Sequence, residues 1–110
     1  MLEAKHCING EWTSGSSGQM ETRMNPARLS EAVGSFPLAA AADAERAVEA
    51  ASRALADWRN LSAAVKSDIL HRAANVLESR AEELAELVSR EVGKPIGEAR
   101  GEVKRGVVLV

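Results

Sequence analysis

The feature that most constrains the fold of this chain is a change in hydrophobic period near Asp43. Before residue 37, short stretches of alternating apolar and polar residues are separated by turn-forming residues, a pattern typical of β-strands. After Asp43, apolar residues recur every three or four positions, as they do on one face of an α-helix. The sequence therefore predicts a strand-rich first segment over residues 7–37 and a helical segment over residues 43–110.

A hairpin is expected at the start of the first segment. Asn9-Gly10 lies between residues 7–8 and 11–12, which suit strands, and this dipeptide favours a type I′ turn. The polar stretch 14–18 is interpreted as a flexible hairpin loop, because strand-like sequence resumes directly after it.

Two further strands are expected after this loop. The first covers residues 19–24 and is broken by Asn25-Pro26, which predicts a turn. The second covers residues 32–36 and is closed by the proline that follows.

Helix boundaries can be read from capping residues in the second half of the chain. Asp43 is predicted to cap the first helix and Ser62 the second. Ser79 begins a sequence with capping-box spacing, so the second helix is expected to break there. Gly93 suits the end of the third helix, and Pro95 the start of the fourth. The first helix is predicted to bury the apolar face formed by Ala44, Ala47, Val48, Ala51, Leu55 and Trp58.

Two glycines four residues apart mark one face of the predicted fourth helix. Gly97 and Gly101 are interpreted as a surface that packs closely against a neighbouring element. With Gly93 they recur every four residues, which differs from the G-x-G-x-x-G pattern of dinucleotide-binding loops. The sequence Gly93-Lys94 also lacks the other residues of a phosphate-binding P-loop, since the decisive positions hold Val88 and Pro95.

Composition excludes several classes of function. The net charge is −2, and basic residues are interleaved with acidic ones, so we expect no nucleic-acid partner. No apolar stretch approaches the roughly 18 residues of a membrane span, and the N-terminus has no apolar run typical of a signal peptide. We therefore expect no membrane association. The single cysteine, Cys7, cannot form an internal disulfide, which favours a reducing, cytoplasmic location.

Few side chains in this sequence could carry chemistry. Cys7 follows His6, and a thiol beside an imidazole could form a nucleophile and base. We interpret Cys7 instead as a small strand residue and His6 as a solvated one, because nothing nearby indicates an enclosed electropositive site. No catalytic and no cofactor-binding residue is therefore predicted in this chain.

Taken in order, the motifs resemble the N-terminal part of the NAD(P)-dependent aldehyde dehydrogenase superfamily. The similarity covers nearly all of the chain from Ile8 onward with consistent spacing. The matching elements are Ile8-Asn9-Gly10-Glu11-Trp12, Asn25-Pro26-Ala27, Val33-Gly34, Phe36-Pro37-Leu38-Ala39, Asp43, the Ala-rich helix ending at Trp58, Ile69-Leu70-His71-Arg72-Ala73-Ala74, Glu82-Glu83-Leu84-Ala85 and Gly93-Lys94-Pro95.

This resemblance implies an intact α/β enzyme that oxidises an aldehyde to a carboxylic acid with NAD or NADP. In that family a cysteine thiolate attacks the aldehyde and a glutamate activates water, and both groups lie downstream of the matched portion. The resemblance thus implies that residues 1–110 are an N-terminal portion whose helices pack on the cofactor-binding domain. It also implies that the catalytic and remaining domains lie outside residues 1–110, that the segment alone is inactive, and that the intact protein is a homo-oligomer.

Two finer expectations also follow from the resemblance. Some family members bind a monovalent cation near this segment, which here implicates the backbone oxygen of Met24 and the carboxylate of Glu91. The sequence Val33-Gly34-Ser35-Phe36-Pro37 looks like that of members acting on semialdehyde acids.

A second interpretation stays open at this stage. The chain could be a non-catalytic helical interaction module or a truncated remnant, because an Ala/Leu face looks the same whether it covers a parent domain or a partner. The sequence stops within the apolar run 107–110, which favours a fragment over a natural module. Helices with one apolar face would then expose that face, so self-association or partial disorder is expected for the segment alone.

Overall fold

The computed structural model describes residues 2–110, in which strands are followed by helices. This order confirms the predicted fold class of short strands followed by amphipathic helices. The elements are β1 (Leu2–Glu3), β2 (His6–Ile8), β3 (Glu11–Thr13), β4 (Met20–Asn25), β5 (Arg28–Pro37), α1 (Ala41–Asn60), α2 (Ala63–Ser79), α3 (Ala81–Val92) and α4 (Ile96–Leu109).

The strands form two separate sheets. The first has the order β1-β5-β4, with β1 parallel to β5, and the second is the antiparallel pair β2-β3. The sequence prediction began the strand-rich segment at residue 7 and so missed β1 (Leu2–Glu3). A two-residue strand is too short to show a hydrophobic period, and its pairing with β5 is a tertiary contact.

The predicted hairpin between β2 and β3 is confirmed. Asn9 has φ 54° and Gly10 has φ 78°, so both residues are left-handed, as a type I′ turn requires. The strands pair His6 with Thr13, Cys7 with Trp12 and Ile8 with Glu11.

The segment 14–18 is not the flexible hairpin loop that the sequence predicted. It connects β3 to β4, and these strands belong to different sheets. The Ser17 hydroxyl donates a hydrogen bond to the carbonyl oxygen of Leu38, and Ser16 is bonded to Asp43. Side chains and backbone distant in sequence therefore fix this connection, and local composition could not reveal them.

The chain divides into two compact units. The first contains the residues up to Arg23 together with Ala32–Asn60, and the second contains Met24–Glu31 together with Leu61–Val110. Each unit buries few apolar residues, and these have small side chains. The first unit buries Val33 and Ala50, and the second buries Ala85 and Ala99, which have no exposed surface.

Helix α1 begins at Ala41, earlier than predicted, so Asp43 lies within the first turn and is not the N-cap. The helix buries Asp43 and Ala50, whereas the predicted apolar face is largely exposed. On that face, for example, Val48 is 67% exposed and Leu55 is 51% exposed. This exposure agrees with the expectation that the segment alone exposes the apolar faces of its helices. On the predicted face, Ala47 and Ala51 line a groove beside the β2-β3 hairpin.

The break between α2 and α3 is where the sequence placed it, but the predicted capping box is wrong. Arg80 is the residue that separates the two helices, and its side chain makes no capping hydrogen bond. The Ser79 hydroxyl instead donates to the carbonyl of Val76, 2.8 Å away, in the last turn of α2. Ser62 does cap α2 as predicted, accepting a hydrogen bond from the Val65 amide.

The helix end at Gly93 is confirmed, and it is tightly enclosed. Gly93 has φ 76°, and its amide donates to the carbonyl of Ser89. A Cβ atom at this position would lie 2.8 Å from Cγ of Pro26 and 3.2 Å from the Ala27 amide nitrogen. Pro95 then serves as the N-cap of α4.

Within residues 2–110, the predicted close packing at Gly97 and Gly101 is not found. Nothing lies within 4 Å of where a Cβ would be at either position, and both residues are exposed. Helix α4 instead buries Ala99. The small residue that packs closely is thus Ala99, which lies between the two glycines in the sequence.

Replacing Gly93 with alanine is expected to destabilise the chain by about 1–2 kcal/mol, because alanine resists the left-handed conformation. The contact with Pro26 can only add to this cost. Gly101→Ala is the matched control in open space, and it is expected to stabilise by up to about 1 kcal/mol through higher helix propensity. Urea unfolding followed by circular dichroism checks both, and a shift of the same sign in the two variants would contradict the assignment.

Candidate functional site

The Asp43 carboxylate organises the first unit. Its side chain is only 2% exposed. One oxygen, Oδ2, accepts hydrogen bonds from the amide and hydroxyl of Ser16 and from the amide of Ala40, each at 2.9 Å. The other oxygen, Oδ1, accepts from the Arg46 guanidinium one turn along α1. A buried carboxylate is tolerated when it is bonded in this way.

These bonds hold Asp43 in its charged form. The backbone amide of Ser16 lowers the pKa of Asp43 most, followed by the amide of Ala40, and together they outweigh the opposing effect of burial. The carboxylate also lies in the first turn of α1, where the helix dipole favours a negative charge. An ionised carboxylate whose acceptor sites are occupied by the chain itself fastens the 14–18 connection to the start of α1.

The imidazole of His6 lies beside this carboxylate and is not solvated as the sequence predicted. Its Nε2 atom is buried and has no hydrogen-bond partner among residues 2–110. The ring packs against Gly15, where a Cβ would lie 3.1 Å from the ring and 3.2 Å from Oδ2 of Asp43. The turn between β3 and β4 brings about this enclosure, which the flanking sequence does not reveal.

The structure does not bring Cys7 and His6 together as a catalytic pair. Cys7 is exposed, whereas His6 is half-buried. Consecutive residues of a strand point to opposite faces, so a thiol and an imidazole at neighbouring positions of β2 face apart. The interpretation of Cys7 as a strand residue is confirmed.

A second polar cluster joins parts of the second unit. Glu31 accepts hydrogen bonds from the Asn25 amide at 3.0 Å and from Nε of Arg90 at 2.6 Å. The Arg90 guanidinium is the main cause of the lowered pKa of Glu31. Sequence reasoning missed this cluster because Glu31 and Arg90 are 59 positions apart, and no local pattern signals such a pair.

The two residues predicted as cation ligands both belong to the second unit. Met24 lies near the end of β4 and Glu91 near the end of α3. No group of three or more His, Cys, Asp or Glu side chains within residues 2–110 is arranged to hold a metal ion.

The groove between the β2-β3 hairpin and α1 does not suit a dinucleotide. One groove of about 420 Å³ in the first unit is lined by the β2-β3 turn and by four alanines of α1. Cofactor sites need a few convergent polar groups, and a dinucleotide needs a glycine-rich loop between a strand and a helix. Here Gly97 and Gly101 lie within α4, so the residues present do not fit NAD or NADP.

Comparison with known proteins identifies the family. The sequence profile of the aldehyde dehydrogenase family matches residues 12–110. The chain is 42% identical to the alpha-ketoglutaric semialdehyde dehydrogenase of Bacillus subtilis (strain 168), over 94% of this chain and 21% of that protein. It is 41% identical to the glutarate-semialdehyde dehydrogenase of Pseudomonas putida, over 87% of this chain and 20% of that protein.

Solved structures of dehydrogenases are similar to this chain over the same region. The NADP-dependent glyceraldehyde-3-phosphate dehydrogenase from Bacillus halodurans C-125 superposes with a TM-score of 0.93 at 32% identity, covering 97% of this chain and 22% of that one. The succinate-semialdehyde dehydrogenase from Burkholderia pseudomallei superposes with a TM-score of 0.89 at 34% identity, covering 94% of this chain and 21% of that one.

The arrangement of strands followed by helices therefore matches one region of a class of larger α/β enzymes. The chain belongs to the aldehyde dehydrogenase family, which confirms the resemblance. It spans about a fifth of the length of the curated relatives it matches. Within residues 2–110, no helix is both long and apolar enough to cross a membrane.

Acid is expected to weaken the first unit through Asp43. Because the pKa of Asp43 is lower in the folded chain than in the unfolded one, the unfolded state takes up a proton first as the pH falls below about 4. The stability that the carboxylate contributes is present above that pH and is lost progressively below it.

Asp43→Asn should lower stability at neutral pH and flatten its decline in acid, measured as thermal unfolding temperature against pH. Asp57→Asn, at an exposed position of the same helix, is the matched control. An Asp43→Asn profile parallel to that of the unmodified chain would show that this carboxylate does not couple folding to pH.

The exposed face of α1 is expected to make the isolated chain bind apolar dyes and self-associate. Val48 and Leu55 leave a large apolar area in water. Val48→Gln with Leu55→Gln should reduce both effects, measured by dye fluorescence and light scattering. Ala42→Gln with Ala56→Gln, at exposed positions of the same helix outside the predicted apolar face, is the control pair. A monodisperse monomer with a sharp thermal transition would contradict the expectation.

Proposed function

We propose that this chain is the N-terminal framework of an enzyme that oxidises an aldehyde to a carboxylic acid with NAD or NADP. The observation that carries the proposal is the family match over residues 12–110, combined with superposition on dehydrogenases of which the chain covers about a fifth. Its own residues contribute structure. The groups that perform the chemistry belong to the part of the family's chain that is not matched here.

The role proposed for the helical segment is to cover the cofactor-binding domain of the intact protein. Support comes from α1, where Val48, Leu55 and Trp58 expose apolar surface although the helix is regular over its whole length. Burying such a face against another domain is favourable at about 25 cal/mol per Å². We also propose that the intact enzyme is a cytoplasmic homo-oligomer, as the resemblance implies.

A small aldehyde with an acidic group is the substrate class that we propose. The similar proteins include enzymes named for alpha-ketoglutaric, malonate, glutarate and succinate semialdehydes. The sequence at Val33–Pro37, which resembles that of semialdehyde-oxidising members, lies at the end of β5.

A monovalent cation site at Met24 and Glu91 is also proposed. A backbone carbonyl and a carboxylate are hard oxygen donors, which suit a hard cation. The end of α3 and the turn after β4 are adjacent, because Gly93 packs against Pro26 and Ala27. Met24 and Glu91 each precede this contact by two residues.

The function is tested first on the native polypeptide. Intact mass spectrometry from the source cells is expected to show a chain several times heavier than 11.7 kDa that carries this N-terminus. The purified product should form NADH or NADPH with semialdehyde acids faster than with an uncharged aldehyde, whereas the 110-residue chain should form none. A native product ending at Val110 would overturn the enzyme proposal and favour the interaction module.

The cation site is tested by thermal unfolding of that native polypeptide in potassium or sodium chloride against choline chloride. We expect a higher unfolding temperature with the inorganic cation, and a loss of this difference in Glu91→Gln. Glu78→Gln on α2 is the matched control. Equal responses in the two variants would exclude Glu91 as a ligand.

A further inference from the structure

The turn between β2 and β3 has a chemical property that neither the fold nor the proposed enzyme uses. Asn9 is followed by Gly10, and both residues are exposed. Within residues 2–110, no other atom lies within 4 Å of the position that a Cβ on Gly10 would occupy, and Gly10 has no side chain of its own to crowd its amide nitrogen. An asparagine followed by an unhindered amide nitrogen can cyclise onto that nitrogen.

The hairpin that holds this turn is small. It pairs three residues of β2 with three of β3 in a sheet of two strands, and Trp12 of β3 is 71% exposed. Two-stranded sheets of this kind are marginally stable and open locally. In the closed turn, φ of Asn9 is fixed at 54°. Opening frees Asn9 to rotate its side-chain amide towards the Gly10 nitrogen.

We propose that Asn9 is a site of spontaneous deamidation controlled by opening of the β2-β3 hairpin. The Gly10 backbone nitrogen attacks Cγ of Asn9, a bond forms between these two atoms, and the bond from Cγ to Nδ2 breaks. The leaving nitrogen takes the amide proton and departs as ammonia, leaving a cyclic imide. Water then opens the ring at either carbonyl and gives aspartate or isoaspartate, so the net change consumes one water and releases one ammonia.

The other three asparagines of the chain are natural controls. Asn25 precedes Pro26, whose nitrogen carries no proton to lose. Asn75 lies inside α2 and precedes the β-branched Val76. Asn60 ends α1 and precedes the bulky Leu61. Each of these positions hinders the cyclisation that Asn9 allows.

Modification changes the surface that the turn presents to α1. Asn9 and Gly10 line the groove of about 420 Å³ together with Ala47 and Ala50 of the helix. Isoaspartate adds one carbon to the backbone and one negative charge at a turn that needs two left-handed residues. The modified hairpin loses its register, and the β2 side of the groove opens.

The test is incubation of the native polypeptide in neutral and mildly alkaline buffer, followed by peptide mass mapping of residues 1–110 and selective detection of isoaspartate. We expect the product at Asn9 to accumulate first, and faster at the higher pH because the attacking nitrogen must lose its proton. Asn9→Gln should remove this product, whereas Asn75→Gln should not change it. Equal accumulation at the four asparagines, or modification elsewhere first, would overturn the proposal.

A second measurement tests control by the hairpin. In urea the Asn9 product should form up to about tenfold faster than in buffer, which corresponds to an opening free energy of at most about 1.4 kcal/mol. Hydrogen exchange across residues 7–12 should be faster in the modified chain than in the unmodified one. An unchanged rate in urea, or unchanged exchange after modification, would show that the hairpin does not control the site.

Discussion

The Asp43 carboxylate lies where the 14–18 connection meets the start of α1, and the arrangement there depends on it. One oxygen collects two donors from Ser16 and one from the Ala40 amide, so the 14–18 connection and the start of α1 share a single acceptor. The pKa of Asp43 is lowered by these amides, which keeps the acceptor charged. A charged acceptor with every donor in place is a strong constraint, because any displacement would leave a buried charge without partners.

The second unit depends on close backbone approach at Gly93. Helix α3 can end beside Pro26 only because position 93 has no Cβ and tolerates a positive φ. Glu31 adds a second link, with Arg90 of α3 on one side and Asn25 at the end of β4 on the other. Both units thus use a few polar or steric contacts where a larger domain would use bulky apolar side chains. The buried apolar residues in the described part of the chain are Val33, Ala50, Ala85 and Ala99, and all four have small side chains.

The small number of buried apolar side chains supports the proposal that this segment packs against another domain of the intact protein. Apolar side chains of α1 that are well placed for packing remain exposed, and Val108 and Leu109 of α4 are more than three-quarters exposed. The family to which the chain belongs has proteins about five times as long. Regular helices with uncovered apolar faces support the structural role proposed for this segment.

The sequence by itself determined most of the strands and helices and several of the residues at which they end. Local signals sufficed for the Asn9-Gly10 turn, the Ser62 cap and the left-handed end at Gly93, because each depends on the conformational preferences of adjacent residues. Only the tertiary structure decided which faces are buried. In the tertiary structure β1 pairs with β5, and His6 is enclosed beside Asp43. Ala50 and Ala99 are the residues buried on α1 and α4, which the sequence did not predict. These outcomes depend on contacts between residues far apart in the chain, and hydrophobic period indicates which face of a helix can be buried but not which neighbour will cover it.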